Sequence, residues 1–283
     1  MKILVTGATG HLGSLVVEAL LKKAPAADLA VSVRNPEKAA YLEAQGVDVR
    51  YGDFTRPETL TAAFAGIDRL LLISSDSGNR IDMHQAAVTA ARQAGVRFIA
   101  YTSLNHAPES TLSLGVDHRA TEEAILKSGI PYSFLRNNWY VENEAGTILA
   151  AAQGAPWVHA NGSAKIGWAA RADYAQAAAA VIAGQGHENT IYELSGPLRT
   201  QADLAAITGE VLSRDIPVQN VDDAAYANML RGAGLPEATV DMVVGMQEAI
   251  REGALAYESS TMEQLLGRPL LPLREVIQSI IGK

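Results

Sequence analysis

A glycine-rich turn near the N-terminus sets the strongest limit on how this chain can fold. The segment Gly7-Ala8-Thr9-Gly10-His11-Leu12-Gly13 follows a short apolar run, Lys2–Thr6, and opens a helical pattern over His11–Lys23. Glycines at this spacing allow a tight turn, let backbone N–H groups approach an anion, and let the helix pack closely on the strand. Glycine-rich turns also occur as purely structural features. Because this one lies between a strand and a helix, it predicts a dinucleotide site at the helix N-terminus.

Strand and helix patterns alternate through the first half of the chain. Further β-type runs are Leu29–Val33, Val47–Tyr51, Arg69–Ser74, Arg97–Thr102 and Tyr132–Leu135. The helical patterns between them are Pro36–Ala44, Pro57–Phe64, Arg80–Ala94 and His118–Lys127. Such alternation is typical of βαβ units around a parallel sheet. We therefore expect an α/β fold, a Rossmann-type doubly wound parallel sheet of six or seven strands.

The alternation breaks after Arg136. Gly154–Lys165 has the composition of irregular chain or short strands, and a late strand is expected at Thr190–Leu194. The remaining helical patterns are Arg171–Ala183, Thr200–Leu212, Asp222–Gly232, Pro236–Glu252 and Leu273–Ile280. We predict a dinucleotide-binding domain over residues 1–153, to which a strand near 190–195 returns. Residues 154–283 would form a smaller, mostly helical substrate-binding region.

The end of the second predicted strand indicates which dinucleotide binds. NAD sites usually carry an acidic residue there for the ribose 2′-hydroxyl, whereas NADP sites favour an arginine. This chain has Val33-Arg34-Asn35 and no acid at that point. An exposed surface arginine is the alternative interpretation of Arg34. The pattern favours NADPH, with Arg34 pairing with the 2′-phosphate.

Small polar residues recur at the ends of the later strands. Asp53 follows the third strand, Ser74 and Ser75 the fourth, and Thr102 and Ser103 the fifth. Ligands of open α/β sheets lie beyond the carboxyl ends of the strands, so these residues are candidates for cofactor contacts. Each of them alone could equally be a helix cap or a turn residue.

Composition and charge exclude several classes of function. The chain has no cysteine, which excludes disulfides, cysteine–zinc sites, iron–sulfur clusters and a thiol nucleophile. A net charge of −8 without a run of Lys and Arg argues against a nucleic-acid partner. The six histidines are scattered without metal-ligand spacing, so no metal is assigned. No apolar run is long enough for a membrane span or a signal peptide, and we expect a cytoplasmic protein.

Several segments together resemble the NmrA-like, atypical branch of the short-chain dehydrogenase/reductase superfamily. They are GATGHLG, VRNPEKA, LLLISS, FIAYTSL, GIPYSFLRNNWYVEN and RADYAQAAA, and they span nearly the whole chain. Within that branch the sequence is most similar to bacterial NAD(P)H:quinone oxidoreductases of type 2, with triphenylmethane-dye reductases as near relatives. Beyond the glycine turn, the resemblance implies cofactor contacts at Arg34, Ser74, Ser75, Asn138, Trp139, Tyr140, Asn143 and Arg171.

The resemblance implies a quinone, or another flat aromatic acceptor, as the substrate. Trp139 and Tyr140 could form a wall for its ring, although both could equally be core residues. None of the nine tyrosines has a lysine four residues later, so the usual proton-transfer pair is absent and no catalytic residue is assigned. We therefore expect quinone reduction by direct hydride transfer. The alternatives are a non-catalytic NADP(H)-binding redox sensor and a dye reductase.

Two further features have competing interpretations. His118 and Glu122 share one helix face and could form a proton donor with its orienting carboxylate, or half of a metal site, but a solvated helix pair is favoured. Asp173 could orient Arg171, although capping of the helix is slightly favoured. No interface pattern stands apart from the core helices, so the oligomeric state is open and a homo-oligomer is possible.

Overall fold

A computed structural model describes residues 1–75 and 78–282. The strands are β1 Ile3–Thr6, β2 Leu29–Val33, β3 Asp48–Tyr51, β4 Arg69–Leu72, β5 Phe98–Leu104, β6 Tyr132–Asn137, β7 Trp139–Tyr140, β8 Trp157–His159, β9 Trp168–Ala169, β10 Thr190–Leu194 and β11 Val218–Asn220. The α-helices are α1 His11–Leu21, α2 Ala40–Glu43, α3 Leu60–Ala63, α4 Arg80–Gln93, α5 Leu114–Ser128, α6 Ala145–Ala152, α7 Arg171–Ala183, α8 Gln201–Leu212, α9 Asp223–Gly232, α10 Glu237–Arg251, α11 Thr261–Leu266 and α12 Leu273–Ile281. Short 3₁₀ helices are Ala26–Asp28, Pro36–Ala39, Pro57–Thr59 and Val141–Glu144.

The central sheet has seven strands in the order β3-β2-β1-β4-β5-β6-β10. Every neighbouring pair in it is parallel. The chain therefore crosses over from β3 back to β4 on the other side of β1, which creates a switch point between β1 and β4. This topology confirms the predicted Rossmann-type doubly wound sheet.

The apolar strands bury both faces of the sheet. In β1, Ile3 and Val5 pack into one core cluster while Leu4 between them packs into the other. Helices α1 and α7 pack together on the first face, and α4 and α5 on the second. Because successive side chains point to opposite faces, a strand covered on both sides must be continuously apolar. The sequence of β1 meets that requirement.

The structure shortens or extends several predicted elements. The pattern at 36–44 is a 3₁₀ turn followed by the single helical turn α2, and the pattern at 57–64 is likewise a 3₁₀ turn followed by α3. Helix α5 begins at Leu114 rather than at His118. In the segment predicted to be irregular chain or short strands, the short strand β8 is present. It pairs with β11 through Trp157 and Val218, a long-range pairing that no local pattern indicates.

Elements that follow residue 153 also contact the sheet. Strand β10 pairs with β6, and α7 packs against α1. A third core cluster joins residues from α8, α10 and α12 to Leu104, the last residue of β5, and to Val141, which follows β7. The boundary between residues 153 and 154 stays a prediction, while these contacts bring the helical C-terminal segment onto the carboxyl edge of β5 and β6.

Candidate functional site

The glycine turn has the close backbone approach that its sequence requires. Gly7 has a φ of 61°, in the left-handed region that favours glycine, and its carbonyl accepts a hydrogen bond from the Gly10 N–H at 2.9 Å. A Cβ atom on Gly13 would lie 2.1 Å from the Gly7 oxygen. Any side chain at position 13 would therefore push α1 away from β1.

The N-terminus of α1 has open donors for an anion. Gly10 is its N-cap and makes no side-chain cap hydrogen bond, and the first turn carries no acidic residue. The first N–H groups of a helix have no partner within the helix, and the helix dipole adds positive charge there. These features fit a pyrophosphate group, which supplies acceptor oxygens and negative charge.

Arg34 lies beside this turn at the end of the neighbouring strand. Strands β1 and β2 are paired with Thr6 opposite Ser32, so the chain beyond β2 emerges next to the glycine turn. The Arg34 side chain is exposed and makes no hydrogen bond or ion pair with the residues that the structure describes. Its guanidinium is therefore free to meet a phosphate, as the NADPH prediction requires.

Asp53, on the far side of β2, belongs to a tight turn. Its carboxylate accepts hydrogen bonds from the N–H of Thr55 at 2.9 Å and from the Thr55 hydroxyl at 2.8 Å. Its own N–H donates to the Thr59 hydroxyl at 3.0 Å. These contacts match the interpretation of Asp53 as a turn residue.

Two threonines fix the chain that leaves β4. The Thr6 hydroxyl accepts from the Ile73 N–H at 2.9 Å, and the Thr102 hydroxyl accepts from the Ser74 N–H at 2.9 Å. The Ser75 N–H donates to Nε2 of His84 at 3.1 Å. The N–H groups of the candidate contacts Ser74 and Ser75 therefore donate to side chains of β5 and α4, and the preceding Ile73 is held by Thr6 of β1.

A chain of buried polar groups lies behind Ser75. Because Nε2 of His84 accepts, its Nδ1 carries the proton and donates to Thr121 at 2.9 Å. The Tyr101 hydroxyl lies 2.8 Å from Nδ1 of His118. Burial lowers the pKa of His84 to about 4 and that of His118 to about 3, so both rings are neutral at pH 7.

The favoured interpretation of His118 and Glu122 as a solvated pair is wrong. His118 is 8% exposed and Glu122 is 5% exposed, and each has a different partner. Glu122 accepts from Arg136 at 2.9 and 2.7 Å and from the Ser103 hydroxyl at 2.6 Å. Since α5 starts a full turn earlier than predicted and packs on β5, this helix face points into the protein. The two residues do not act together.

Arg136 joins two carboxylates under the ends of β5 and β6. Besides Glu122, it donates to Glu193 of β10 at 2.9 Å, and Glu193 also accepts from the His106 N–H at 3.0 Å. Burial lowers the pKa of Arg136. Its hydrogen bonds to the two carboxylates raise the pKa by more than burial lowers it, so the net shift is upward. This triad of Glu122, Arg136 and Glu193 ties helix α5 and strands β6 and β10 together beneath the candidate site.

The segment after β6 combines buried amides with two half-buried rings. The Asn138 amide is buried and donates to the Ser195 hydroxyl at 3.0 Å and to the Tyr257 carbonyl at 3.1 Å. Trp139 and Tyr140 form β7, which pairs with β9. Both rings are partly buried, so each also packs against a core cluster.

Arg171 lies against the same segment. Its guanidinium carbon is 5.2 Å from the centre of the Tyr140 ring, and its Nη2 is 3.5 Å from the Asn143 side-chain oxygen. The Glu142 carboxylate accepts from the Arg171 N–H, with 3.0 Å to each oxygen, and so caps α7. The fold therefore brings Arg171 next to Tyr140 and Asn143, which lie about thirty positions earlier in the sequence.

Both interpretations of Asp173 are wrong. Its side chain is fully buried and accepts from Arg268 at 2.8 Å and from the Leu271 N–H at 2.8 Å. It neither caps α7 nor orients Arg171. Asp173 instead fastens the chain between α11 and α12 to α7, a long-range contact that local sequence does not indicate.

One acidic residue of this region escaped the sequence analysis. Glu144 ends the 3₁₀ turn after β7, and burial raises the pKa of its carboxyl, while interactions with Trp168, Trp139 and Gln201 offset the rise only in part. The signal available in the sequence was a carboxylate close to two aromatic residues. Nothing local placed Trp168 and Gln201 beside it.

The strand order arranges the predicted contact residues along one edge of the sheet. Asp53 follows β3, Arg34 follows β2, the glycine turn follows β1, Ser74 follows β4, and Asn138 follows β6. An extended dinucleotide crossing the switch point between β1 and β4 would meet them in this sequence. Arg171 and Asn143 lie at the β6 end, next to Tyr140.

No group of three or more His, Cys, Asp or Glu side chains within residues 1–75 and 78–282 could hold a metal ion. In the same part of the chain, no helix is both long and apolar enough to cross a membrane.

Comparison with known proteins links the chain to characterised reductases. A family described as NAD(P)H-binding matches residues 7–185. Quinone oxidoreductase 2 of Escherichia coli K12 is 42% identical over 282 residues, covering 99% of each chain. The crystal structure of an E. coli NADPH-dependent quinone oxidoreductase with NADPH superposes with a TM-score of 0.95 at 42% identity, covering 99% of both chains. Triphenylmethane reductase from Citrobacter sp. is 39% identical, with a TM-score of 0.95 over 100% of both chains.

Proposed function

The chain belongs to the NAD(P)H-binding family, and from this premise we propose that it is an NADPH-dependent oxidoreductase that reduces quinones by direct hydride transfer. The observation that carries the proposal is the line of open contacts along the carboxyl edge of the sheet. It begins at the unpaired Arg34, passes the uncapped N-terminus of α1, and ends beside Trp139 and Tyr140. Such a line fits a dinucleotide whose reactive ring faces the aromatic segment.

Each part of this edge has a distinct role in holding the cofactor. The N–H groups at Gly10 to Leu12 bind the pyrophosphate, and Arg34 pairs with the 2′-phosphate. Ser74 and Ser75 line the middle of the site, with Asp53 toward the adenine end. Asn138, Tyr140, Asn143 and Arg171 surround the nicotinamide end. When bound, the cofactor supplies a hydride, and the protein supplies orientation and proximity.

A quinone suits a site that lacks the Tyr-x-x-x-Lys pair. The ring is electron-poor, and the oxygen that gains charge on reduction is stabilised by delocalisation. A tuned tyrosine acid is therefore less necessary than a flat apolar wall that aligns the ring. Trp139 is the residue that we assign to this wall, because it is half-buried at the border of the helical C-terminal segment.

A cationic triphenylmethane dye is a second candidate substrate. The favouring observation is the similarity to the Citrobacter triphenylmethane reductase, at 39% identity over the full chain. Such a dye is flat and aromatic and accepts hydride at a carbon that already carries positive charge. The same aromatic wall would serve both acceptors.

Steady-state NADPH oxidation with a panel of small quinones and a triphenylmethane dye tests the proposal. We expect turnover with at least one quinone. Tight NADPH binding without turnover of any acceptor would contradict the enzyme and favour a redox sensor. In Trp139→Ala we expect quinone KM to rise more than the NADPH dissociation constant, whereas the reverse result would move Trp139 into the cofactor site.

The remaining expectations follow from the same proposal. The enzyme would act in the cytoplasm on a small molecule, without a nucleic-acid partner, and as a monomer or homo-oligomer. Residues 1–153 would bind the dinucleotide and residues 154–283 the acceptor, with α7 and β10 supporting the dinucleotide-binding sheet.

A further inference from the structure

All three tryptophans of the chain converge on one pair of polar side chains. The Trp157 indole donates to the Gln201 side-chain oxygen at 2.8 Å. Gln201, Trp139 and Trp168 are in turn the side chains whose polar groups act on the Glu144 carboxyl. Trp168 and Gln201 are almost completely buried, whereas Glu144 remains half-buried. A carboxyl group therefore sits at the accessible margin of a buried aromatic cluster.

Glu144 has no cationic partner among the described residues. It forms no ion pair within residues 1–75 and 78–282, and its charge acts on the Tyr226 hydroxyl of α9. Arg274 of the neighbouring α12 pairs with Glu210 instead, at 2.6 Å. Asp203 of α8 is held by Thr200, and Glu142 of the same 3₁₀ turn caps α7. Burial favours the neutral form of the carboxyl, and the polar groups around it offset that effect only in part.

Trp168 lies on the buried side of the Glu144 carboxyl. Its indole nitrogen is buried and makes no close hydrogen bond among the described residues, and the acceptor that acts with it is the Glu144 carboxyl itself. A buried N–H without a well-aligned acceptor is costly, so the indole favours an acceptor oxygen at this position.

The position of Glu144 connects the two halves of the proposed reaction. Its neighbour Asn143 contacts Arg171 on the cofactor side, at 3.5 Å. Trp139, which we assign to the acceptor wall, acts on the Glu144 carboxyl. An acceptor stacked on Trp139, as the proposed function requires, would therefore lie beside this carboxyl.

We propose that Glu144 is the acid that gives the quinone its proton, an inference that rests on the proposed function. Reduction of a quinone consumes one hydride and one proton and yields the hydroquinone and NADP⁺. Both electrons arrive with the hydride. The O–H bond of Glu144 breaks, its proton forms the new O–H bond on the ring oxygen, and the Glu144 carboxylate takes a proton from water after the product leaves. The neutral carboxyl replaces the missing tyrosine acid.

Glu144→Gln tests this assignment, since the amide keeps the shape and cannot give up a proton. We expect kcat with tetramethyl-benzoquinone to fall about 100-fold, as for a general acid of ordinary strength. With tetrachloro-benzoquinone, whose product anion is far less basic, the loss should be under about 10-fold. Wild-type kcat with the tetramethyl substrate should decrease as pH rises through the Glu144 pKa, and the variant should lack that dependence. The exposed Glu123→Gln on α5 is the matched control and should behave like wild type.

Tryptophan fluorescence gives a readout that needs neither cofactor nor turnover. Because Glu144 faces two of the three indoles, the emission of the free protein should titrate with a midpoint above the ordinary value of 4.5. Glu144→Gln should abolish that titration and keep the native emission, which also shows that the variant folds.

The outcomes separate the two proposals. If the wild type reduces quinones but Glu144→Gln loses kcat equally with both quinones, or with neither, the inference is overturned. The proposed function would still stand in that case. A fluorescence titration with no midpoint above pH 4.5, at full activity, would also overturn the inference. Absence of wild-type quinone turnover would overturn the proposed function itself.

Discussion

Two glutamates close to the same edge of the sheet have opposite environments. Glu122 is enclosed by Arg136 and the Ser103 hydroxyl and forms a two-point ion pair. Glu144 faces indoles and an amide and has no cation among the described residues. A buried carboxylate with a guanidinium stays charged and fixes the strands around it. A carboxyl among neutral groups tends to keep its proton, and can give it away.

The two carboxyl groups also connect different kinds of element. The triad of Glu122, Arg136 and Glu193 joins α5, β6 and β10, which all lie beneath the candidate site. The Glu144 cluster instead joins short elements, β7, β9 and the start of α8, at the border of the helical C-terminal segment. The first region is held by charged hydrogen bonds, and the second contains the acid that we propose.

Removal of the charge from Glu122 should have the largest effect. Glu122→Gln leaves Arg136 with one carboxylate in a buried site, and we expect the free energy of unfolding to fall by about 3–5 kcal/mol. Urea denaturation measures this loss. Glu123→Gln, at the next and exposed position, breaks only a surface pair with Lys127 and should cost less than about 0.5 kcal/mol. Equal losses in the two variants would remove the distinction drawn for Glu122.

Acid should destabilise the same region through its neutral histidines. An unfolded histidine binds a proton below pH 6.5, whereas folded His84 does so only near its pKa of about 4. The unfolded state therefore takes up protons first, and stability falls as pH drops from 6.5 to 4, by about 3 kcal/mol for His84. His84→Gln should flatten the dependence of unfolding free energy on pH, and the exposed His11→Gln should not. An unchanged slope in His84→Gln would show that this ring is not buried in its neutral form.

Arg34 tests the open side of the cofactor edge. Arg34→Ala removes a charge-assisted contact with the 2′-phosphate, so the NADPH dissociation constant should rise about 10-fold to 100-fold. NADH, which lacks that phosphate, should bind as before. Isothermal titration with both cofactors measures the two changes, with the exposed Arg92→Ala on α4 as a charge-matched control. Equal losses for NADPH and NADH would contradict the assignment.

Glu144→Gln should change the free energy of unfolding least among these variants. It should leave that energy unchanged or raise it slightly, whereas Glu122→Gln should lower it. A carboxyl whose pKa is raised by folding binds its proton more tightly in the folded state than in the unfolded state. The free energy of unfolding therefore falls as pH rises above 4.5 toward the folded-state pKa. Replacing it with a neutral amide removes this cost at pH 7. We expect the thermal midpoint to stay unchanged or to rise slightly, within about 1 kcal/mol. A loss comparable to that of Glu122→Gln would mean that Glu144 is a charged structural group.

Local sequence was sufficient for the parts of the site made by the backbone. The positive φ of Gly7, the close approach at Gly13 and the open N-terminus of α1 follow from residues within one strand–turn–helix unit. Strands β2 and β10 and helix α7 have the predicted limits, because periodic burial fixes their patterns. His118, Glu122 and Asp173 were misassigned, because their partners lie on distant elements and their spacing within one helix carries no information about them.

The sequence by itself determined the doubly wound sheet, the glycine turn, and an arginine in place of an acid at the end of β2. These features depend on hydrophobic periodicity and on backbone geometry, which act over a few residues. Only the tertiary structure decided which acid would be paired with a cation and which would have a raised pKa. The pKa of a carboxyl depends on burial and on the charges around it, and both are set by residues that are distant along the chain. Arg136 reaches Glu122, whereas Glu144 forms no ion pair within residues 1–75 and 78–282.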